Sequence, residues 1–426
     1  MSRSGAGASD SGAAAGGARR PRMRCRSVLG ALLAGLLLFA AYNAVPRSPG
    51  TRIAPAGPGG TVPRAELAGA IPRLTASYLA SGVLYAAEDH FIYKQKPEEG
   101  SRIEFGQIGR IPKIDPSPGE QVRDFIARLR IFRDFRPNRG PNNLVVLESG
   151  TLLVFYDHIY RSTDGGRSFH SVLDFRTEGF SAPFVQGIAV DRNDDVYFGG
   201  YDCTARPHPV RLYRGTNDGS EWGVFHEFPS GEIFHVHTVR YDPYRDRLWV
   251  CTGDRDEESF LFSIDAKREG LSLLGGGDQG WRIVSIVPTE DFLYWCSDND
   301  DAGSNVYRYD FERGERERIR SIGKPCYYAT RLADGTLVFS TTFENKTPYT
   351  VRTKPEPTTD LWVSQNGTDW HMVLSLMGRP GKRGWGSRRP QTLLPAGDQD
   401  AEFVYATPLH TTEGDFPLRV YRIRWD

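Results

Sequence analysis

Net charge, metal-spaced cysteines and helical periodicity are all scarce in this 426-residue chain. Lysine plus arginine and aspartate plus glutamate both number 53, so the formal net charge is zero. No basic stripe lies beyond the N-terminal segment, which removes the electrostatic footprint expected of a nucleic-acid binder. The five cysteines fall in no CxxC or Cys/His spacing, so nothing supports a zinc site. Cys251 and Cys296 occupy matching places in successive segments, Leu248–Thr252 and Phe292–Ser297. Strands of neighbouring repeats usually lie beyond disulfide reach, so these residues read as small buried thiols. Apolar residues at helical spacing are concentrated in one short stretch, 119–132, which predicts a single insertion helix.

What the chain does have is aromatic residues, at 12%, with 46 glycines and 28 prolines, the composition of many short strands joined by turns. An apolar strand, a polar turn and a second apolar strand recur. Full units begin at Asn143, Gly187, Thr238, Ile283, Ala329 and Thr392. A partial unit lies upstream, in Gly82–Ala87, Phe91–Lys94 and Ile103–Ile108. Starts recur every ~40–60 residues, the period of propeller blades. The expected fold is all-β, a propeller of seven blades over 79–426, with six as the rival count.

Three hairpin turns repeat a motif. Ser162-Thr-Asp164-Gly-Gly166-Arg-Ser-Phe169 is echoed by Thr216-Asn-Asp218-Gly-Ser-Glu-Trp222 and Ser364-Gln-Asn366-Gly-Thr-Asp-Trp370. The aspartate or asparagine closes the turn onto backbone N–H groups, glycine takes positive φ, and the aromatic packs beneath. The chain therefore resembles the Asp-box (BNR) repeat proteins, whose best-known members are sialidases with β-propeller folds. The resemblance implies a propeller scaffold; in it the turn residues are structural.

The N-terminus divides into three. Residues 1–27 are small and polar, then arginine-rich, and read as a disordered basic tail inside the cell. Residues 28–45 form an uncharged Leu/Ala-rich run just long enough to span a bilayer. The preceding arginines, with Cys25 among them, place the tail inside and the propeller outside. A cleaved signal peptide is the competing reading; Phe39–Ala44 offers no clean small-x-small cleavage site, which favours a signal anchor. Residues 46–78, rich in proline and glycine, read as an extended stalk. Asn345-Lys-Thr347 and Asn366-Gly-Thr368 are glycosylation sequons, meaningful only in a eukaryotic secretory pathway.

Propeller geometry turns the repeat into a functional map. Ligands are expected where the innermost strands begin and where the loops leave the second strands, on the face opposite the Asp-box turns. Polar residues collect there: Arg139, Asn143, Gln186, Asp202, Arg282, Asp298 and Arg389 as ligand-binding candidates. In the fourth unit, His235 and His237 alternate along an inner strand, with Asp254 arriving from the neighbouring loop. Such a group can ligate a divalent metal, transfer a proton or bond a sugar hydroxyl; no cofactor is otherwise expected. By the resemblance, a sialidase-like site would use Arg139, Arg282 and Arg389 as a carboxylate clamp, Asp157 as acid, and Tyr328 with Glu232 as the nucleophile pair. A competing match to the family's Arg-Ile-Pro element is Arg110-Ile-Pro112. The expected function is binding or organising a polar ligand, foremost a cell-surface polysaccharide. Glycan cleavage and a protein-interaction scaffold are the alternatives, with the bilayer and a carbohydrate or envelope protein as partners.

Overall fold

The computed structural model describes residues 25–44, 48–54, 63–97, 102–114, 117–129, 143–179, 182–201, 207–265, 267, 269–299, 303–344, 357–379, 389–397, 401–414 and 417–425. The chain divides into two compact units, 1–46 with 123–135, and 47–122 with 136–426.

The larger unit is a seven-bladed β-propeller, and each blade has a four-stranded antiparallel core. Blade one runs Thr75–Ala80, Val83–Glu88, Phe91–Gln95 and Arg102–Arg110, with Gly50–Arg52 added at its outer edge. Blades two to six each follow the same inner-to-outer order, their first strands starting at Asn143, Ile188, Val236, Ile283 and Cys326. First and second strands are buried almost throughout, as in Leu248–Thr252 of blade four, because neighbouring blades cover both faces. Outermost strands such as Glu315–Ser321 mix exposed with half-buried positions, because one face meets solvent. Aromatic rings fill the wedges between blades: Phe155 of blade two meets Phe198 of blade three edge-on at 5.5 Å, and Trp249 of blade four lies 5.9 Å from Phe311 of blade five. Cys251, Cys296 and Cys326 are buried free thiols, as composition suggested for the first two.

Blade seven closes the ring from both chain ends. Its strands Gln391–Leu393, Val404–Leu409 and Leu418–Arg424 are completed by Arg64–Ile71, which pairs from Arg64 opposite Arg424 to Ile71 opposite Leu418. On the channel side Ala396–Gly397 pairs in parallel with Tyr78–Leu79 of blade one. This corrects the stalk expected over 46–78, which holds three strands of the propeller. Arg64–Ile71 carries no turn or repeat signature of its own, so only its partner some 350 residues later identifies it as a strand.

The first and third motif turns bond as expected. The Ser162 hydroxyl donates to Asp164 and accepts from the Gly166 amide, and Asp164 accepts from the amide of Ser168. Asn366 accepts from the amides of Thr368 and Asp369, and the Trp370 indole donates to the Gly367 carbonyl. The middle turn differs: Asp218 reaches across to blade two, where Thr151 donates to it and Arg161 pairs with it at 2.9 Å. Gly219 still takes positive φ, +71, and the Trp222 indole donates to its carbonyl at 3.0 Å.

The smaller unit contains the helix Cys25–Ala44, which covers most of the apolar run. Leu32, Leu33, Leu36, Leu37 and Leu38 project from several sides of it and are all exposed. Among the described residues no helix is long and apolar enough to cross a membrane. The insertion helix forms at Pro118–Arg128, ending earlier than the apolar spacing suggested.

Ile71 is fully buried at the closing strand. Ile71→Ala should cost about 2–5 kcal/mol by urea unfolding, a loss that a residue in a solvated stalk would not produce.

Candidate functional site

The first strand of each blade begins at one end of the central channel, and that end collects six of the predicted residues, His235, His237, Asp254, Arg282, Asp298 and Arg389. Register shifts occur near the starts of these strands in blades one, four, five and six, between Ala76 and Tyr78, Val236 and Thr238, Ile283 and Ile286, and Cys326 and Tyr328. A bulge re-aims the side chain beside it. In blade four the shifted residue is His237, and its ring stays 4.6 Å from that of His235.

Asp254 completes the cluster from the loop after the second strand. Gly253 stands before it at φ +116, where an added Cβ would lie 2.6 Å from the Ser259 backbone. That turn needs glycine, and it carries Asp254 back over the histidines. Asp254 Oδ1 lies 3.7 Å from His235 Nε2, 3.4 Å from His237 Nε2 and 3.0 Å from an Arg282 Nη. Arg282 is held by a second, buried carboxylate, Asp298, at 2.9 Å.

The protonation states follow from these contacts. His237 Nδ1 sits 3.1 Å from the Ile283 carbonyl, an acceptor only, so this nitrogen carries the proton. Burial holds the His237 pKa below its usual value despite the adjacent carboxylate, which favours the neutral ring. His237 Nε2 faces the same Asp254 oxygen that Arg282 pairs with. Burial acts to raise the Asp254 pKa, but the His237 contact and the Arg282 charge overcome it and hold the carboxyl well below the usual range. His235, His237 and Asp254 offer two imidazole nitrogens and one oxygen, all within 4.8 Å of one another, a group that could hold a metal ion.

An aromatic surface links this cluster to blade six. The Tyr201 ring lies 4.4 Å from His235, and Phe184 is 5.5 Å from both Tyr201 and Tyr327. Beyond it the Tyr327 hydroxyl donates to Glu344, and Arg389 pairs with the same carboxylate oxygen.

Other predicted residues fall elsewhere. Gln186, at φ +66, turns its amide into the channel interior. It donates to the Leu394 and Pro395 carbonyls and accepts from Ser285 and the Ala329 amide, so it ties blades together rather than facing a ligand. The Asn143 side chain donates to the Pro183 carbonyl and is likewise buried. The pair expected of Tyr328 and Glu232 does not form: the Tyr328 hydroxyl donates to Gln391, while Glu232 is exposed in a turn. Tyr327 with Glu344 makes such a pair instead, because the bulge beside Tyr327 decides which of the adjacent tyrosines meets the carboxylate. Asp157 is exposed on blade two, accepting from Tyr160. Arg110 ends the outer strand of blade one, not the start of an inner strand. Arg139 and Asp202 lie outside the described residues. Phe184 was missed; its sole signal is an aromatic two residues before Gln186 in an inner-strand approach.

No family model matches the chain, and no curated protein matches it. Solved structures are similar to it in fold. An oligogalacturonate lyase in complex with manganese aligns over 89% of this chain and 98% of its own, with TM-score 0.54 and 11% identity. A GH74 enzyme from Niastella koreensis aligns over 76% of this chain, with TM-score 0.45 and 17% identity; the chain spans 46% of that enzyme's length. A chain of a nidogen/laminin complex aligns over 64% of this chain and 96% of its own, with TM-score 0.38 and 12% identity.

Asp298→Ala should leave Arg282 with one carboxylate and destabilise the fold by roughly 3 kcal/mol in urea titrations. The low pKa of Asp254 contributes stability that is fully present above its unfolded value of about 4 and is lost as the pH falls. Thermal melts between pH 6 and 3 should therefore decline more steeply for the native chain than for Asp254→Asn.

Proposed function

We propose that this protein is a membrane-anchored, extracytoplasmic propeller that binds an acidic cell-surface glycan, with a divalent cation held by His235, His237 and Asp254. The carrying observation is the convergence of the two Nε2 atoms on one carboxylate oxygen, at 3.7 and 3.4 Å. The Ile283 carbonyl, 3.1 Å from His237 Nδ1, orients that ring's lone pair as an outer partner of a metal ligand does. Asp298 keeps Arg282 paired at 2.9 Å, so Asp254 can serve a cation without stranding the guanidinium. A bound cation would polarise or grip the ligand's oxygens. Arg282 and Arg389 add positive charge for carboxylates, and Tyr201 with Phe184 offers faces for sugar rings. The similarity to an oligogalacturonate lyase in complex with manganese supports a metal-assisted site for acidic sugars on this fold.

A second reading, cleavage of the glycan, rests on the Tyr327–Glu344–Arg389 contact. A carboxylate that accepts a phenol's hydrogen bond can take its proton and make the oxygen a nucleophile toward an anomeric carbon. This is the Tyr–Glu chemistry expected from the Asp-box resemblance, carried by a different tyrosine and glutamate.

Anchoring through residues 28–45 is supported by the arginines before the helix and by leucines exposed on several of its sides, apolar surface that lipid would cover. The full chain should stay with membranes after alkaline carbonate extraction, and protease added to intact spheroplasts should reach residues 80–426. Recovery of those residues in the soluble cytoplasmic fraction would overturn the anchor.

Calorimetry with Mn²⁺ should give one site per chain, lost in His237→Ala and Asp254→Asn with circular dichroism unchanged. Polygalacturonate should bind more tightly than a neutral glucan, and chelation should weaken that binding at least tenfold. Equal binding of both polymers by the chelated protein would contradict this reading. Turnover of an acidic glycan that Tyr327→Phe abolishes, with binding retained, would establish the second.

A further inference from the structure

The channel has another end, and its chemistry is different. The inner strands run away from the histidines, so their C-terminal residues surround the opposite opening, on the side of the motif turns. A cavity of about 330 Å³ lies there, lined by Val190, Arg240, Tyr241, Tyr244, Pro288 and Arg331 among others. No aspartate or glutamate is among the described residues that line it. Arg331 donates to the Tyr244 hydroxyl at 2.6 Å, and its Nε is buried without a hydrogen-bond partner among the described residues. The acidic residues on the adjoining turn, which do not line the cavity, are already paired. Asp242 accepts from Arg245 and from the Trp249 indole, while Asp246 pairs with Arg192 and accepts from Tyr241. The polar wall is thus guanidinium and phenol, and Val190 and Pro288 supply apolar floor.

Gln186 separates this cavity from the mouth. Its amide bonds to Leu394, Pro395, Ser285 and Ala329 span the channel between the two ends.

We infer that this opening is a second binding site, for a small ligand that joins an oxyanion, carboxylate or phosphate, to a compact ring of about one sugar. The guanidinium of Arg331 offers charge-assisted donors to an oxyanion, Arg240 adds charge, and the Tyr244 hydroxyl, which accepts from Arg331, keeps its own proton to donate. A pocket of this size with an apolar floor and few convergent polar groups is the usual form of a small-molecule site. The inference does not depend on the reading of the mouth.

Calorimetry of the full chain with glucuronate, glucose 6-phosphate and glucose tests it. At least one of the two anionic sugars should bind, more weakly as salt rises, and glucose should not. Arg331→Gln should weaken binding at least tenfold, and His237→Ala should leave it unchanged. Should Arg331→Gln melt markedly earlier, Arg240→Gln serves instead, with a loss of at least threefold expected. Binding lost in His237→Ala would assign the anion to the mouth and overturn the inference. Failure of both anions to bind, equal affinity for glucose, or affinity unchanged in both arginine variants would overturn it as well.

Discussion

Everything at the mouth depends on one act of closure, the pairing of Arg64–Ile71 with Leu418–Arg424. A propeller's blades touch mainly their neighbours, so an open ring would let them fan apart and the inner strands lose their common axis. Closure fixes the starts of those strands at one level. The blade-four histidines, the blade-five arginine and the blade-six tyrosine are then held side by side, although they are distant in sequence. The parallel pairing of Ala396–Gly397 with Tyr78–Leu79 repeats the closure on the channel side. Gln186 is the hub within it, bonding to atoms of blades five, six and seven.

Within this ring the local departures from regular structure cluster at the mouth. Bulges begin four inner strands, and Gly253 bends the loop that returns Asp254 over the histidines. Such features weaken a sheet taken alone. Their concentration at one end, beside buried charges and a neutral imidazole facing a carboxylate, marks where the fold gives up regularity to place side chains. The opposite end is built more simply, from strand termini and turns, and the described residues lining its cavity include arginines but no carboxylate.

Much of the fold was legible because blades are local objects. Alternating strands, tight turns and a returning period sit within about 50 residues of one another, and the Ser162 and Ser364 turns bond as their residues dictate. Closure was not legible, since nothing near Arg64–Ile71 announces a partner at the far end of the chain. The site was legible by halves. His235, His237 and Asp254 could be paired because two histidines at alternate strand positions and a loop carboxylate are short-range facts. Tyr327 and Tyr328 could not be told apart, because a one-residue bulge decides which phenol meets Glu344. Gln186 looked like a ligand residue for its position; its positive φ, invisible in sequence, turns it into the channel instead.

The central claim is that the cluster of His235, His237 and Asp254 is a cation site and the working centre of the mouth. Anomalous diffraction from crystals soaked in Mn²⁺, collected near the manganese edge, tests it most directly. The account predicts one strong peak in the channel mouth, at coordination distance from His235 Nε2, His237 Nε2 and an Asp254 oxygen. A mouth with no peak at saturating Mn²⁺, or a peak bound only by surface carboxylates elsewhere on the propeller, would contradict it.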